Sequence, residues 1–333
     1  MRVLALFALF SLCACGAKEP VEIVVSGNTM GTQFNVKLTA ADIDVTLLQQ
    51  EIEASLAHVE HMMSTYMVDS EISRFNASTK TSWHKVSHEF CFSVEEALVL
   101  STLTDGSFDI TVGPLVNLWG FGPGDMIHEP PADEKIAAVM NYVGYEHLQA
   151  DCAQPALRKD IANLYLDMSA FGKGFAVDRV ADWLDDAGFH NYLVEVGGEL
   201  RLGGLNAKGQ KWAIGIEVPL TDQRQPHTIV HLTDTAVATS GDYRNYFEAG
   251  GKRYSHTIDT RTGRPIIHEL ASVTVIDDSG YRADALATAL LVMGPDRGME
   301  LAAREDLAVL FLLHSDAGFA ERTTAAFEQL RST

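Results

Sequence analysis

Apolar positions recur along this chain with two periods. Leu48, Ile52, Leu56, Val59 and Met63 follow one another at steps of four and three, which predicts one buried face of a long helix. Residues 90–103 predict a second helix, stopping before Gly106, and 133–142 a short one. Over 173–187, Ala176, Val180 and Leu184 point inward and Gly188 stands just past the end, as at a helix C-terminus. Helices are also expected over 283–293 and 297–304. Strands are expected over 23–25 and 33–38, as a hairpin around Gly27 to Thr32, and over 192–202, 212–218, 228–232, 236–239 and 272–276. The unbroken apolar run 307–313 reads as a buried strand. Residues 120–131, rich in Gly and Pro, read as a surface loop. Helices and strands come in mixed blocks, without a βαβ repeat. The expectation is an α+β fold: one compact, two-lobed domain with mixed, mainly antiparallel sheets and packed helices.

The start of the chain departs from this pattern. Arg2 precedes an apolar run from Val3 to Leu12 that is too short to span a bilayer but suits a signal peptide. Leu12-Cys13-Ala14-Cys15 is similar to a bacterial lipobox, with Leu three positions and Ala one position before Cys15. Cys13 does not fit that spacing. The reading is a lipoprotein signal over 1–14, a lipidated Cys15 opening a tether over 15–22, and the folded domain over 23–333. An ordinary secretory signal with incidental cysteines is the alternative. Acyl chains contribute about 0.8 kcal/mol per buried methylene, so several would anchor the protein firmly. Gly16 follows Cys15, with no Asp to suggest retention at an inner membrane. Cys91 and Cys152 remain in the body. An oxidising compartment permits a disulfide between them, which sequence alone leaves open.

Composition narrows the function classes. The chain has 333 residues, 47% hydrophobic, enough for a sizeable core and too apolar for a disordered chain. Asp and Glu number 45 against 25 Lys and Arg, a formal charge of −20. That balance argues against nucleic acid and against a polybasic membrane patch.

Five segments carry more polar residues and glycine than a core needs. They are Gly27-Asn28-Thr29-Met30-Gly31-Thr32, Met63-Ser64-Thr65-Tyr66, the run from Gly106 to Pro114 that includes Ser107-Phe108-Asp109, Asp167-Met168-Ser169-Ala170-Phe171-Gly172-Lys173-Gly174, and Ser255-His256-Thr257-Ile258-Asp259 with the later Asp284-Ala285-Leu286-Ala287-Thr288. In type, order and spacing they resemble the ApbE family, the FAD:protein FMN transferases, over about 23 to about 313. Each segment alone would be a weak signal; five in order are specific. The resemblance implies cleavage of the FAD diphosphate and transfer of the FMN half, through its phosphate, to a Ser or Thr hydroxyl of a target protein. AMP is released, and a divalent metal, usually Mg²⁺, is needed.

The residues can be asked what such chemistry requires. A diphosphate is dense in negative charge and this chain is acidic, so a divalent cation is its natural partner. Mg²⁺ takes oxygen ligands and few carboxylates. Asp284 and Thr288 are four apart and share a helix face, with Leu286, Leu290 and Met293 roughly opposite. The resemblance assigns the metal to Asp284 and Thr288, with the Ala170 carbonyl and the Ala287 position adding to it. Without it, Asp284 would read as a carboxylate favoured in a first helical turn. The turn around Ala170 to Gly174 opens a helix whose free N–H groups suit an anion, and Lys173 adds charge. It lacks the third glycine of a dinucleotide fingerprint, which excludes a Rossmann reading. The resemblance places Asp167, Lys173 and Ile258 at FAD, Met30 and Tyr66 beside its rings, and Ser107, Phe108 and Asp109 in a third FAD segment, where Asp109 would accept a ligand hydrogen bond. Met30, Tyr66 and Phe108 could equally be core residues.

His256 is the acid–base candidate, singled out among 12 His by its motif, and would serve as general base toward the acceptor hydroxyl. Asp259 need not orient it. Val196-Gly197-Gly198-Glu199 reads as a close-packed strand bend near the cofactor, and Trp119 and Trp212 as core residues. The family's acceptors are subunits of respiratory sodium pumps and related electron-transport complexes. That implies a place in the bacterial envelope, lipid-anchored and facing the periplasm. A homodimer stays open, since no apolar stripe demonstrates one. Two rival functions also stay open: a hydrolase giving FMN and AMP from the same site, and a lipoprotein that binds FAD without chemistry.

Overall fold

Eight strands form one sheet whose spatial order is their order in the chain: β1 (Val21–Thr29), β2 (Thr32–Ala40), β3 (Tyr192–Val196), β4 (Glu199–Gly203), β5 (Thr235–Gly241), β6 (Leu270–Asp277), β7 (Ala308–Ser315) and β8 (Gly318–Thr323). Every neighbouring pair is antiparallel. The computed structural model describes residues 21–41, 43–124, 127, 129–220, 225–242, 245–316 and 318–332. The expected leader 1–14, Cys15 and the tether as far as residue 20 lie outside them. Val21 and Glu22, expected in the tether, already pair with Ala40 and Thr39.

Local chemistry explains the turns. β1 and β2 join through Met30 and Gly31, both at positive φ (49° and 71°), the two-residue hairpin geometry that matches strand twist. The stretch 192–202, expected as one strand, is a hairpin instead. Gly197 and Gly198, at φ 61° and 109°, make the same kind of tight turn, so Val196 pairs with Glu199. β6 and β7 are buried on both faces, which is why the 307–313 run shows no alternation.

One face of the sheet packs against four helices, α1 (Val45–Met63), α2 (His88–Leu103), α3 (Gly172–Asp186) and α4 (Gly280–Met293). The predicted apolar positions of α1 all turn inward. Asp44 caps α1, accepting from Thr46 N at 2.9 Å and Leu47 N at 3.1 Å. The other face, through Leu202, Val237, Ile276, Leu310 and Leu312, is covered by the hairpin Trp212–Glu217 with Pro226–Leu232 and by Phe327 of the helix Ala325–Arg331. Leu115, Trp119, Ile136 and Ile258 form a third, smaller core with Phe121, Phe247 and Tyr254, the second lobe. The α+β, mainly antiparallel expectation holds, and both tryptophans are core residues. Cys91 of α2 and Cys152 are disulfide-bonded, with Cα atoms 5.6 Å apart, which closes the question the sequence left open. Among the described residues no helix is long and apolar enough to cross a membrane.

Candidate functional site

A cavity of ≈ 690 Å³ lies where β2 to β5 meet the first turn of α3, the Asp284–Thr288 face of α4, the segment 107–112 and the stretch around His256. Its size suits a cofactor-sized ligand.

Its deepest charged groups come from three elements. Lys173, in the first turn of α3, places Nζ 3.2 Å from Glu199 Oε1 and 3.7 Å from Asp284 Oδ1. Burial alone would depress Lys173, but Asp284 and Glu199 overcome it and hold the ammonium above its usual range. Burial pushes Glu199 up, against the pull of Lys173. Asp284 is 2% exposed, and its Oδ2 accepts from Gly174 N at 3.0 Å. Thr288, one turn further along α4, shares a hydrogen bond of 2.8 Å with Ser240 of β5. Lys173 is therefore ion-paired with two carboxylates while it also lines the cavity. One lysine is shared between two buried carboxylates, and a cation beside them would favour their charged forms against the burial that pushes Glu199 up.

The donors here are oxygens: the Asp284 carboxylate, the Thr288 and Ser240 hydroxyls and the backbone at Ala170, which also lines the cavity. Among the described residues no group of three His, Cys, Asp or Glu could hold a metal. An oxygen set with few carboxylates suits a hard cation that keeps much of its water. Ala287 is buried in the core of α4 and is not part of the cavity wall. Asp284 is in the second turn of α4, not the first, because the helix begins at Gly280, ahead of the expected 283. The dipole it meets is that of α3.

Tyr66, Ser107, Phe108, Asp109, Asp167 and Ile258 all line the cavity. Ser107 Oγ is buried and has no partner among the described residues, so it is ready for a ligand. Tyr66 is 72% exposed and forms the mouth. Asp109 lines the cavity and also ties its own loop together. Its Oδ1 accepts from Thr111 N and Thr111 Oγ1, both at 2.7 Å, and its Oδ2 from Tyr145 N at 3.0 Å. It shapes the loop, and burial raises its pKa despite those bonds. Asp167 Oδ1 accepts from Ser169 N at 2.8 Å and from Ser169 Oγ. Met30 sits outside this cavity, at the hairpin turn beside a shallow depression that shares Thr32 and Gln33 with it.

His256 lines the cavity from the second lobe, just after the hairpin Tyr246–Ala249 with Lys252–Ser255. Its Nδ1 lies 3.0 Å from Asn245 O. A carbonyl only accepts, so Nδ1 carries the proton and Nε2 keeps its lone pair. Burial lowers the His256 pKa, with the Lys173 charge adding to it and the Asn245 carbonyl and Asp242 opposing. The neutral form, a base, is therefore favoured near neutral pH. Asp259 instead accepts from Arg261 Nε and Nη2, each at 3.0 Å, and does not orient His256.

Sequence reasoning missed Glu199 and Ser240. Glu199 follows two glycines at a strand end, where a carboxylate normally faces water. Only its burial at 4% and its unpartnered Oε2 mark it. Ser240 has no motif of its own.

The family model described as the ApbE family matches residues 30–311. The FAD:protein FMN transferase of Vibrio cholerae is 47% identical over 333 residues, spanning 99% of this chain and 98% of its own. The solved Flavin Transferase ApbE from Vibrio cholerae superposes with a TM-score of 0.87 at 46% identity, covering 93% of this chain and 99% of that one. The apo form of the Pseudomonas stutzeri flavinyl transferase ApbE gives 0.86 at 40% identity, covering 95% and 98%. With likeness running through the sheet, both cavity walls and the chain nearly end to end, this protein belongs to the ApbE family.

Proposed function

We propose that this chain is a FAD:protein FMN transferase. It moves the FMN half of FAD, through its phosphate, to a Ser or Thr hydroxyl of an acceptor protein and releases AMP. One observation carries the reading. A single cavity joins an oxygen-lined end at Asp284 and Thr288 to a histidine whose Nδ1, 3.0 Å from the Asn245 carbonyl, leaves Nε2 free to act as a base. The acceptor O–H bond breaks and its oxygen bonds to the FMN phosphorus. The diphosphate P–O bond to AMP breaks, and the acceptor proton goes to His256 Nε2. A divalent cation such as Mg²⁺, held by Asp284, Thr288 and the Ala170 carbonyl, would neutralise diphosphate charge. Phe108, Ile258 and Tyr66 hold and cover the rings, while Ser107 and Asp167 offer polar contacts. Lys173 keeps the Asp284 and Glu199 carboxylates together.

Incubation of the protein with FAD, Mg²⁺ and an acceptor should add an FMN-sized mass to the acceptor. No mass gain on a proven acceptor sinks the transferase reading. FMN and AMP formed without an acceptor support hydrolysis, and tight FAD binding without turnover supports a carrier.

We also propose that Cys15 is lipidated and tethers the enzyme to a membrane of the bacterial envelope, facing the periplasm. There an acceptor subunit of a respiratory sodium pump or a related electron-transport complex is within reach. The sequence around Cys15 and the disulfide Cys91–Cys152, which suits an oxidising compartment, support this. Fractionation tests it: Cys15→Ser should move the protein from the membrane to the soluble fraction.

A further inference from the structure

Two matching patterns face each other beneath the cavity. α3 carries Gly174-Phe175-Ala176-Val177-Asp178, and α4 carries Gly280-Tyr281-Arg282-Ala283-Asp284. In each, glycine and aspartate stand four apart and share a helix face. The glycines form the crossing. A Cβ on Gly174 would lie 2.2 Å from Gly280 O, and one on Gly280 would lie 2.5 Å from Gly174 O. Both obstacles are backbone, so neither can swing aside.

The aspartates then reach across. Asp284 Oδ2 accepts from Gly174 N at 3.0 Å. Asp178 Oδ1 accepts from Gly280 N at 2.9 Å and its Oδ2 from Tyr281 N at 3.1 Å. Each helix thus satisfies free N–H groups in the first turn of the other. Each carboxylate also has one basic neighbour at 3.7 Å, Lys173 for Asp284 and Arg201 for Asp178. One difference separates the two halves: Asp284 lines the cavity and Asp178 does not.

We propose that Asp178 is a positioning residue for the metal-binding helix. It holds the first turn of α4 against α3 so that Asp284 and Thr288 present their oxygens to a divalent cation in fixed relative geometry. Both ligands ride on α4, so a small slide of that helix displaces them together. Gly280 N and Tyr281 N, which donate to Asp178, stand in the first turn of α4, where a helix offers no acceptor of its own. The inference rests on the transferase reading for the presence of a cation at Asp284, and its test is independent of turnover.

The probe is Mn²⁺ alone, titrated into the full chain and followed by its free-ion electron paramagnetic resonance signal. FAD binding without metal is measured in parallel by flavin fluorescence. Asp178→Ala should weaken Mn²⁺ binding by about tenfold or more while FAD affinity stays within about twofold. Asp178→Asn keeps one accepting oxygen and should fall between wild type and Asp178→Ala; if the alanine variant does not fold, the Asn variant decides. Unchanged Mn²⁺ affinity in a folded variant overturns the inference. So does a parallel loss of Mn²⁺ and FAD binding, the mark of a merely structural role, or an absence of Mn²⁺ binding by the unmodified chain. If wild type binds Mn²⁺, Asp178→Ala does not, and no acceptor gains FMN, the transferase reading fails and the role of Asp178 stands.

Discussion

The two ends of the cavity are built in opposite ways. At the inner end, Asp284 and Glu199 are nearly inaccessible to solvent, anchored by a helix N–H, a shared lysine and a backbone crossing with no room for one methyl group. At the outer end, His256 follows a short hairpin. Its ring is held by one carbonyl, and its support is the stacking of Tyr254 and Phe247 on Trp119, with centroids 5.6 and 6.4 Å away. The inner end concentrates charge where water cannot screen it. On the proposed function, the outer end places a neutral base where a protein substrate would approach. Charge needs rigidity and a dry setting; a base that would meet a macromolecule needs access.

Four experiments test that contrast. Asp284→Ala should remove transfer to the detection limit, together with Mn²⁺ binding, because one change takes the carboxylate facing the cavity and its bond to Gly174. His256→Ala should lower kcat by about 10²–10⁴-fold, the usual range for a lost general base, and leave Mn²⁺ affinity unchanged. If metal binding falls too, the two ends are not separate. In the wild type, burial holds His256 below its ordinary value, so the base form persists through neutral pH. Protonation of His256 should not limit activity at pH 7 and above. It should fall about tenfold per unit once pH drops below the lowered His256 pKa, and His256→Ala should abolish that acid limb. Gly174→Ala should cost about 1–3 kcal/mol of stability, read by denaturant unfolding, with weaker Mn²⁺ binding and an unaltered pH profile. A neutral Gly174→Ala would mean that the crossing is not tight.

The sequence made the inner end partly legible and the outer end less so. The faces of α1 and α3 show because a helix buried on one side repeats every three to four residues. Asp284 and Thr288 show as a pair for the same reason. The start of α4 at Gly280 does not show, because part of its cap is Asp178, distant in sequence and supplied by another helix. Glu199 hides because two glycines turn an apparent strand interior into a hairpin, and burial then reverses what a carboxylate usually signals. The loop-holding bonds of Asp109 were not legible, since its partners Thr111 and Tyr145 meet it only after the loop folds. His256 was visible through its motif, whereas its tautomer depends on Asn245, eleven residues earlier.

The order of the strands bears on how the pocket comes into being. From β3 onward no two neighbouring strands are separated by more than the 31 residues between Gly203 and Thr235, but β2 meets β3 only after the 151-residue excursion from Ala40 to Tyr192 that carries α1 to α3. Closing that seam costs the most chain entropy and should come late in folding. Gln33 and Asn35 on one side of it, and Glu195 and Gly197 on the other, line the cavity. The pocket is therefore finished by the last long-range pairing, and a ligand seated there clasps the two edges. Bound FAD should slow unfolding as well as raise the melting temperature, coupling the lifetime of the native state to flavin supply.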